Sequence, residues 1–307
     1  MNVLLQMPGA TGPAWHGALA AALPEATIAR WPEAPVDVDY ALVWKPPVDF
    51  FAAVQPRKAI FNLGAGVDAL LATPTLPEAV PVIRLEDAGM AEQMADYVVL
   101  AVLRAFRAAD VYARQQADGH WGPLPPHAKS AFTVGLLGFG VLGRAVARAL
   151  AANGFPVRAW SRGGDGAAGV TGYAGAATLP AFLAATNVLV CLLPSTPATR
   201  GIVDRALLRQ LPPGAHVVNV ARGDLVVDAD LLALLDEGHL GGAALDVFHE
   251  EPLPPGHPFW HHRHVVITPH VAATTLVEAS VAQIAGKIRR LDAGLAVTGI
   301  VDRGRGY

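Results

Sequence analysis

Three segments of this chain carry polar side chains directly after short apolar runs of the kind that form buried strands. They contain Arg222, the adjacent pair Glu250 and Glu251, and His270. Because open parallel sheets bind ligands beyond the carboxyl ends of their strands, we expect these side chains to face one ligand. Arginine can hold a carboxylate with two hydrogen bonds, histidine can give a proton to a ketone oxygen, and a carboxylate can orient that histidine. Reduction of a 2-oxo acid requires parts of these three kinds.

A glycine-rich turn predicts a dinucleotide cofactor, which could supply the electrons for such a reduction. Its glycines have G-x-G-x-x-G spacing, and they lie between an apolar run and an amphipathic segment. In this setting the first glycine makes a tight turn, the second lets the backbone approach a pyrophosphate, and the third allows close helix–strand packing. The phosphates would then lie on the amides of a helix N-terminus. The predicted dinucleotide contacts of this turn are Gly138, Gly140, Val141, Leu142 and Gly143.

The type of dinucleotide is indicated by the end of the next predicted strand. No Asp or Glu occurs between Arg144 and Gly164, although NAD-specific folds usually place one about 20 residues past the glycines. The strand ends instead in Ser161 and Arg162, a hydroxyl and a guanidinium that suit a 2′-phosphate. The sequence therefore predicts preferred binding of NADP(H), with NAD(H) as the alternative.

The elements that must position these residues alternate between short apolar runs and helical segments, a pattern typical of parallel α/β folds. Before the glycine turn, the predicted strands are Val3–Met7, Ala26–Trp31, Ala41–Trp44, Ala59–Leu63 and Pro81–Leu85. The later predicted strands are Thr133–Leu137, Val157–Trp160, Val188–Leu193, His216–Val220, Gly242–Val247 and Val265–Thr268. Long helical patterns cover Met90 to about Gln116 and Thr274–Asp292, and the Gly/Pro-rich stretch 119–126 indicates a linker or protruding loop.

These elements predict an α/β protein with two doubly wound parallel-sheet domains. The last helical pattern has no strand after it, so we expect it to return to the first domain. A Rossmann-type cofactor domain, residues 98–272, would then be inserted into a flavodoxin-like substrate domain formed by residues 1–97 and 273–307.

Composition narrows the class of protein further. The chain has 307 residues, of which 52% are hydrophobic and 16% charged, and its net charge of −3 leaves no basic stripe for nucleic acid. No run is long enough to span a membrane. The single cysteine, Cys191, lies in an apolar run, which predicts a buried strand position and fits a reducing, cytoplasmic compartment.

Histidines are concentrated near one end of the chain and raise the question of a metal. Six of the eleven fall between His249 and His270. The cluster 261–264 lacks ligand spacing on one helix face, and Arg263 adds repulsion. We predict a solvated loop and no metal site.

Taken together, the glycine turn, Arg222, Glu251 before Pro252, and His270 resemble the D-isomer-specific 2-hydroxyacid dehydrogenase family. Further segments resemble its short branch acting on glyoxylate and hydroxypyruvate: Trp44-Lys45-Pro46-Pro47, Asn62-Leu63-Gly64-Ala65-Gly66-Val67-Asp68 and the run 301–307.

The resemblance implies a role for each candidate residue. Arg222 would bind the substrate carboxylate and polarise the ketone, His270 would be the acid/base, and Glu251 would hold and charge it. Asp246 would lie near the nicotinamide carboxamide. The substrate pocket would be lined by Trp44, Gly64, Ala65 and Gly66.

Arg162 favours NADPH as the cofactor, and the same resemblance implies reduction of glyoxylate to glycolate and of hydroxypyruvate to D-glycerate. It also implies a homodimer, in which the helix from Met90 and the loop around Trp121 form an arm. Two alternatives stay open: an NAD-linked D-2-hydroxyacid dehydrogenase of another substrate, and a non-catalytic dinucleotide-sensing protein of the same fold.

Overall fold

Two parallel sheets, built from twelve strands, form the framework of the computed structural model, which describes residues 1–33, 37–164 and 166–307. The strands are β1 Asn2–Gln6, β2 Thr27–Arg30, β3 Tyr40–Val43, β4 Ala59–Asn62, β5 Val82–Arg84, β6 Val134–Leu137, β7 Val157–Trp160, β8 Val170–Tyr173, β9 Val188–Cys191, β10 Ala215–Asn219, β11 Leu240–Leu245 and β12 Val265–Ile267. The α-helices are α1 Gly12–Ala22, α2 Phe50–Ala53, α3 Asp68–Leu71, α4 Met90–Phe106, α5 Ala109–Ala117, α6 Val141–Ala152, α7 Leu179–Leu183, α8 Arg205–Leu208, α9 Asp228–Asp236 and α10 Val277–Asp292.

The strand orders identify both sheets. The first sheet has the order β2-β1-β3-β4-β5, which is the flavodoxin-like arrangement. The second has the order β12-β11-β10-β9-β6-β7-β8, the Rossmann arrangement extended by one edge strand. All neighbouring strands run parallel. The predicted fold class is therefore confirmed.

Each sheet belongs to its own compact unit. The first unit consists of Met1–Met90 and Thr275–Tyr307, and the second of Ala91–Thr274. Helix α4 joins the second unit because Met94, Val98 and Val102 pack into the core on one face of the seven-stranded sheet.

The core of the second unit lies on both faces of its sheet. Every residue of the central strands β6 and β9 is buried. Such continuous apolar strands are expected where helices cover a parallel sheet on both sides. The strand order reverses between β6 and β9, so the loops that follow these two strands meet at the point where doubly wound folds bind ligands.

One strand of the second sheet was absent from the sequence prediction. Strand β8, Val170–Tyr173, pairs with β7 at the sheet edge. It holds only four residues, one of them Gly172, and it follows a glycine-rich stretch. Edge strands of this kind are partly exposed and lack a continuous apolar run, so the sequence pattern does not distinguish them from a loop.

The predicted helix from Met90 to about Gln116 is wrong in its middle. Helix α4 ends at Phe106, and Ala108 adopts a left-handed backbone (φ 50) before α5 begins. The ring of Phe106 packs edge-on against Phe132 and Phe155. These partners are distant in sequence, so the helical periodicity gives no sign of the break. Within the described ranges, no helix has the length and apolar content needed to cross a bilayer.

Candidate active site

The glycine turn lies between β6 and α6, and two of its glycines are required by packing. Gly138 has φ +111, a conformation that side chains disfavour. A Cβ on Gly143 would lie 2.4 Å from the carbonyl oxygen of Gly138, so the helix touches the turn directly. A Cβ on Gly140, at the N-terminus of α6, would meet no heavy atom within 4 Å. Space for a ligand therefore opens at Gly140, beside the first turn that carries Val141 and Leu142.

The predicted ribose end of the dinucleotide site lies beside this turn. The Gly138 amide donates to the Trp160 carbonyl at 2.9 Å, which joins the ends of β6 and β7. Ser161 and Arg162 follow at once, and the Ser161 amide donates to the Tyr173 carbonyl of β8 at 3.0 Å. The strand missed by the sequence prediction thus anchors the segment that carries Arg162.

Arg222 lies in a tight turn after β10. The buried side chain of Asn219 shapes this turn, since its Nδ2 donates to the Arg222 carbonyl at 2.8 Å and its Oδ1 accepts from the Ala221 amide at 3.2 Å. At the next residue, a Cβ on Gly223 would fall 2.0 Å from the carbonyl carbon of Phe248. The turn therefore packs backbone to backbone against the segment that leads to Glu251.

A side-chain network ties the same turn to the loop after β9. The Ser195 hydroxyl donates to Asp224 Oδ2 at 2.6 Å, and Arg200 Nε donates to the same oxygen at 3.2 Å. The Gly201 amide donates to the Asp224 carbonyl at 2.8 Å. The loop at the switch point and the Arg222 turn are thus one connected piece.

Glu251 and His270 form a direct pair. His270 Nδ1 lies 2.8 Å from Glu251 Oε2, and Oε1 of the same carboxylate accepts from the Phe248 amide at 3.1 Å. The His270 side chain is 40% exposed and that of Glu251 27%. Because Nδ1 faces the carboxylate, Nε2 is the ring nitrogen left to exchange a proton with a substrate.

Asp246 is almost fully buried, and its carboxylate binds the loop that carries His270. Oδ1 accepts from the Thr268 hydroxyl at 2.6 Å and the Val271 amide at 2.9 Å, and Oδ2 accepts from the Ala272 amide at 2.9 Å. The sequence prediction assigned Asp246 to the cofactor. In this structure its contacts fix the loop.

The predicted substrate residues of the first unit also form a group. The ring of Trp44 lies against Gly64, where a Cβ would be 2.4 Å from Trp44 Cζ3. Asn62 Nδ2, at the end of β4, donates to the carbonyls of Gly64 and Gly66 at 2.9 Å each. Gly64 is buried, whereas Ala65 and Gly66 are partly exposed. The loop thus has a fixed shape with accessible backbone.

The sequence prediction missed several residues that shape these loops. Asn62 and Asn219 each end an otherwise apolar strand and fold the following turn by side-chain hydrogen bonds. A polar residue in the last position of an apolar strand is a signal that could have found both. The third such residue is Thr268, which stands two residues before His270 and binds Asp246 through its hydroxyl.

The remaining histidines and the cysteine take no part in these groups. His249 Nε2 lies 2.9 Å from the Val226 carbonyl, whereas His262 pairs with Asp236. Across the described part of the chain, no three His, Cys, Asp or Glu side chains gather in a metal-binding geometry. Cys191 is fully buried, and burial raises the pKa of its thiol to about 12.

Comparison with known proteins agrees with this arrangement. Residues 99–272 match the family model described as D-isomer specific 2-hydroxyacid dehydrogenase, NAD binding domain. The glyoxylate/hydroxypyruvate reductase A of Yersinia enterocolitica is 47% identical over 313 aligned positions, which cover 100% of both chains.

Solved structures give the same result. A D-isomer specific 2-hydroxyacid dehydrogenase from Xanthobacter autotrophicus Py2, in complex with NADPH and MES, matches with a TM-score of 0.93 and 44% identity over 99% of each chain. An NADPH-dependent glyoxylate/hydroxypyruvate reductase from Sinorhizobium meliloti, in complex with NADP and sulfate, matches with a TM-score of 0.93 and 38% identity, over 100% of this chain and 99% of that one. The present chain therefore belongs to the D-isomer specific 2-hydroxyacid dehydrogenase family, whose members are oxidoreductases with an NAD-binding domain.

Proposed function

We propose that this chain is an NADPH-dependent reductase of small 2-oxo acids, converting glyoxylate to glycolate and hydroxypyruvate to D-glycerate. The observation that carries the proposal is the 2.8 Å contact between His270 and Glu251, in the same sheet unit as the glycine turn. The full-length similarity to a glyoxylate/hydroxypyruvate reductase supports this choice of substrates.

In the proposed reaction, His270 supplies the proton. A reduced nicotinamide bound at the glycine turn would supply the hydride for the ketone carbon. The carbonyl π bond breaks as that hydride adds, and the oxygen takes the proton from His270 Nε2, which yields a hydroxyl group. Glu251, on Nδ1, stabilises the imidazolium before transfer and fixes the ring's orientation. His270 is left neutral and regains a proton from solvent.

Arg222 is the residue that we propose holds the substrate carboxylate. Its guanidinium can grip two oxygens at once, which aligns the ketone for hydride transfer and polarises it. For the first unit, we propose that the Ala65 and Gly66 amides and the neighbouring Trp44 and Gly64 take part in substrate binding.

For the cofactor we propose NADPH, held by residues 98–272. Gly138, Gly140, Val141, Leu142 and Gly143 would receive the pyrophosphate, and Ser161 with Arg162 the 2′-phosphate. Asp246 Oδ2 accepts one hydrogen bond within the described residues, so it can accept a second from the carboxamide. The relatives with bound NADPH and NADP support this preference over NADH.

Steady-state assays test the proposal. We expect reduction of glyoxylate and hydroxypyruvate with a higher kcat/KM for NADPH than for NADH. Arg162→Ala should weaken NADPH use by about tenfold or more and NADH use far less, because one charge-assisted contact is lost. Arg148→Ala, an exposed arginine on α6, is the matched control. A preference for NADH would favour the NAD-linked alternative, and dinucleotide binding without turnover would favour a sensing protein.

We also propose a cytoplasmic homodimer. Exposed apolar side chains on α4, α5 and the following loop support an arm that a second copy would cover. Trp121 is 97% exposed and Leu100 is 59% exposed. Light scattering on the purified protein should give twice the mass of one chain, and replacing Trp121 with Ser should weaken the dimer. A monomer at micromolar concentration would contradict the proposal.

A further inference from the structure

The loop that carries His270 has a strained backbone. His270 has φ 55, in the left-handed region that residues other than glycine rarely adopt. Such a conformation persists only where surrounding contacts hold it. Hydrogen bonds from neighbouring residues must therefore hold the backbone of this loop in place.

Asp246 provides these interactions. Its carbonyl accepts from the His270 amide at 2.8 Å, and its carboxylate accepts from the amides of Val271 and Ala272 at 2.9 Å each. Three consecutive amides are thus bound to one residue. Any rotation of this carboxylate would release the backbone on the C-terminal side of His270.

The carboxylate is in turn oriented by a chain of two hydroxyl groups. The Thr268 hydroxyl lies 2.6 Å from Asp246 Oδ1, and the Tyr97 hydroxyl lies 2.6 Å from the Thr268 hydroxyl. A carboxylate can only accept, so Thr268 must donate its single proton to Asp246. Tyr97 must then donate to Thr268, which gives the chain one direction.

Tyr97 is suited to this role by its surroundings. It lies on α4 and packs against the core on one face of the seven-stranded sheet. Burial raises the pKa of the Tyr97 phenol, so the donor keeps its proton at neutral pH. Through the Tyr97 hydroxyl, helix α4 thereby contacts the loop that carries His270.

We propose that Tyr97 and Thr268 are positioning residues for His270, acting through the carboxylate of Asp246. Without their hydroxyl groups, the loop would sample backbone conformations in which the His270 ring leaves the position set by Glu251. The proposal rests on the proposed role of His270 as the proton donor, but the order of the loop can be measured without any turnover.

The test compares Thr268→Val, which removes the hydroxyl at nearly equal size, with Thr268→Ser, which keeps it. In Thr268→Val we expect the amides of Val271 and Ala272 to exchange hydrogen at least about tenfold faster, because their acceptor is no longer fixed. The kcat for glyoxylate should fall about tenfold, with KM for glyoxylate and for NADPH within about twofold. Thr268→Ser should restore both properties.

Tyr97→Phe should change both properties in the same direction but less, by about threefold, because it removes only the outer hydroxyl. Tyr40→Phe is the control. Tyr40 and Asp292 both belong to the first unit, where the Tyr40 hydroxyl donates to Asp292 at 2.7 Å. Loss of this hydroxyl should therefore leave the amide exchange of the His270 loop and the kcat unchanged.

The proposal is overturned if Thr268→Val leaves amide exchange unaltered, or if Thr268→Ser is as impaired as Thr268→Val. Equal effects of Tyr40→Phe and Tyr97→Phe would show general destabilisation and would overturn it too. If the wild-type protein reduces no 2-oxo acid, the exchange measurement still decides the order of the loop, so the two failures can be told apart.

Discussion

At the scale of single residues, the contact between Glu251 and His270 leads to a prediction about the two directions of the reaction. A carboxylate beside an imidazole stabilises the imidazolium, which is the form that reduction consumes. We therefore expect Glu251→Gln to lower kcat/KM for reduction at pH 7 by about tenfold or more, because the imidazolium loses its neighbouring negative charge and the ring its fixed orientation. Oxidation of the hydroxy acid needs the neutral ring, so the variant should keep more of this activity at neutral pH.

Glu250→Gln is the matched control for that experiment, because Glu250 is the neighbouring acid and is exposed. Its kcat/KM values for reduction and for oxidation should equal those of the wild-type protein. If Glu251→Gln keeps wild-type kcat/KM for reduction, or loses reduction and oxidation equally, Glu251 does not act on His270 as proposed.

The second residue-scale prediction concerns Arg222. Lysine keeps the charge but not the planar fork that holds two carboxylate oxygens. Arg222→Lys should lower kcat/KM for glyoxylate by about 100-fold or more, because the ketone would be misaligned for hydride transfer. Arg209→Lys, an exposed arginine paired with Glu237, should have little effect. Near-normal activity of Arg222→Lys would place the carboxylate site elsewhere.

How far the sequence predicts the site depends on the range of the interactions. Arg222, Glu251 and His270 can be singled out because each follows a strand, and strand ends are visible in the sequence. The contact between Glu251 and His270, and the link from Tyr97 to Asp246, join residues far apart in the chain. Such contacts depend on how elements pack, which local patterns do not encode. The functional roles of these residues stay predictions.

At the scale of elements, the glycine turn contains two kinds of glycine. A Cβ on Gly143 would collide with the Gly138 carbonyl, whereas one on Gly140 would enter open space. Gly143→Ala should therefore destabilise the fold by about 1–3 kcal/mol. Gly140→Ala should keep wild-type stability and weaken dinucleotide binding about tenfold or more, because its methyl group would occupy the pyrophosphate position.

Thermal unfolding and fluorescence titration with NADPH separate these two effects. Gly17, an exposed position in α1 where a Cβ meets nothing within 4 Å, gives a control alanine in the other unit. If Gly140→Ala lost as much stability as Gly143→Ala, the two glycines would not differ in the way proposed.

The elements themselves were largely predictable from the sequence. Eleven strands are visible in the sequence as apolar runs. Their alternation with helical segments predicts the α/β class and both sheet types. The edge strand β8 and the break at Ala108 were not predictable, because pairing at an edge and the packing of Phe106 decide them. Both depend on partners that only the folded chain brings close.

At the scale of the whole molecule, His216 predicts how stability depends on pH. Burial favours the neutral ring and lowers the pKa of His216 from 6.5 to about 4. Between about pH 4 and pH 6.5, the unfolded chain therefore binds a proton at His216 that the folded chain does not bind. The free energy of unfolding is unaffected by this proton above about pH 6.5. It decreases as the pH falls towards 4, by about 3 kcal/mol in total.

Urea unfolding at about pH 7 and about pH 5 measures this dependence. We expect His216→Gln to lose less stability on acidification than the wild-type protein. The control is His120→Gln, since His120 is exposed in the loop after α5. An identical pH dependence in wild type and His216→Gln would show that other groups dominate acid unfolding.

The buried position of the lone cysteine has a practical consequence. Cys191 lies fully buried at the end of β9, next to β6 and the glycine turn, and its thiol has a pKa of about 12. The thiolate is the form that attacks thiol reagents, so the native chain should resist labelling until the sheet opens. The labelling rate then measures how often the sheet opens. A dinucleotide at 100 times its Kd should lower the labelling rate about 100-fold, because it binds only the closed sheet. At equal concentrations, the dinucleotide that binds more tightly slows labelling more. Timed labelling of the wild-type protein would thus rank NADPH and NADH by affinity before any substrate is known.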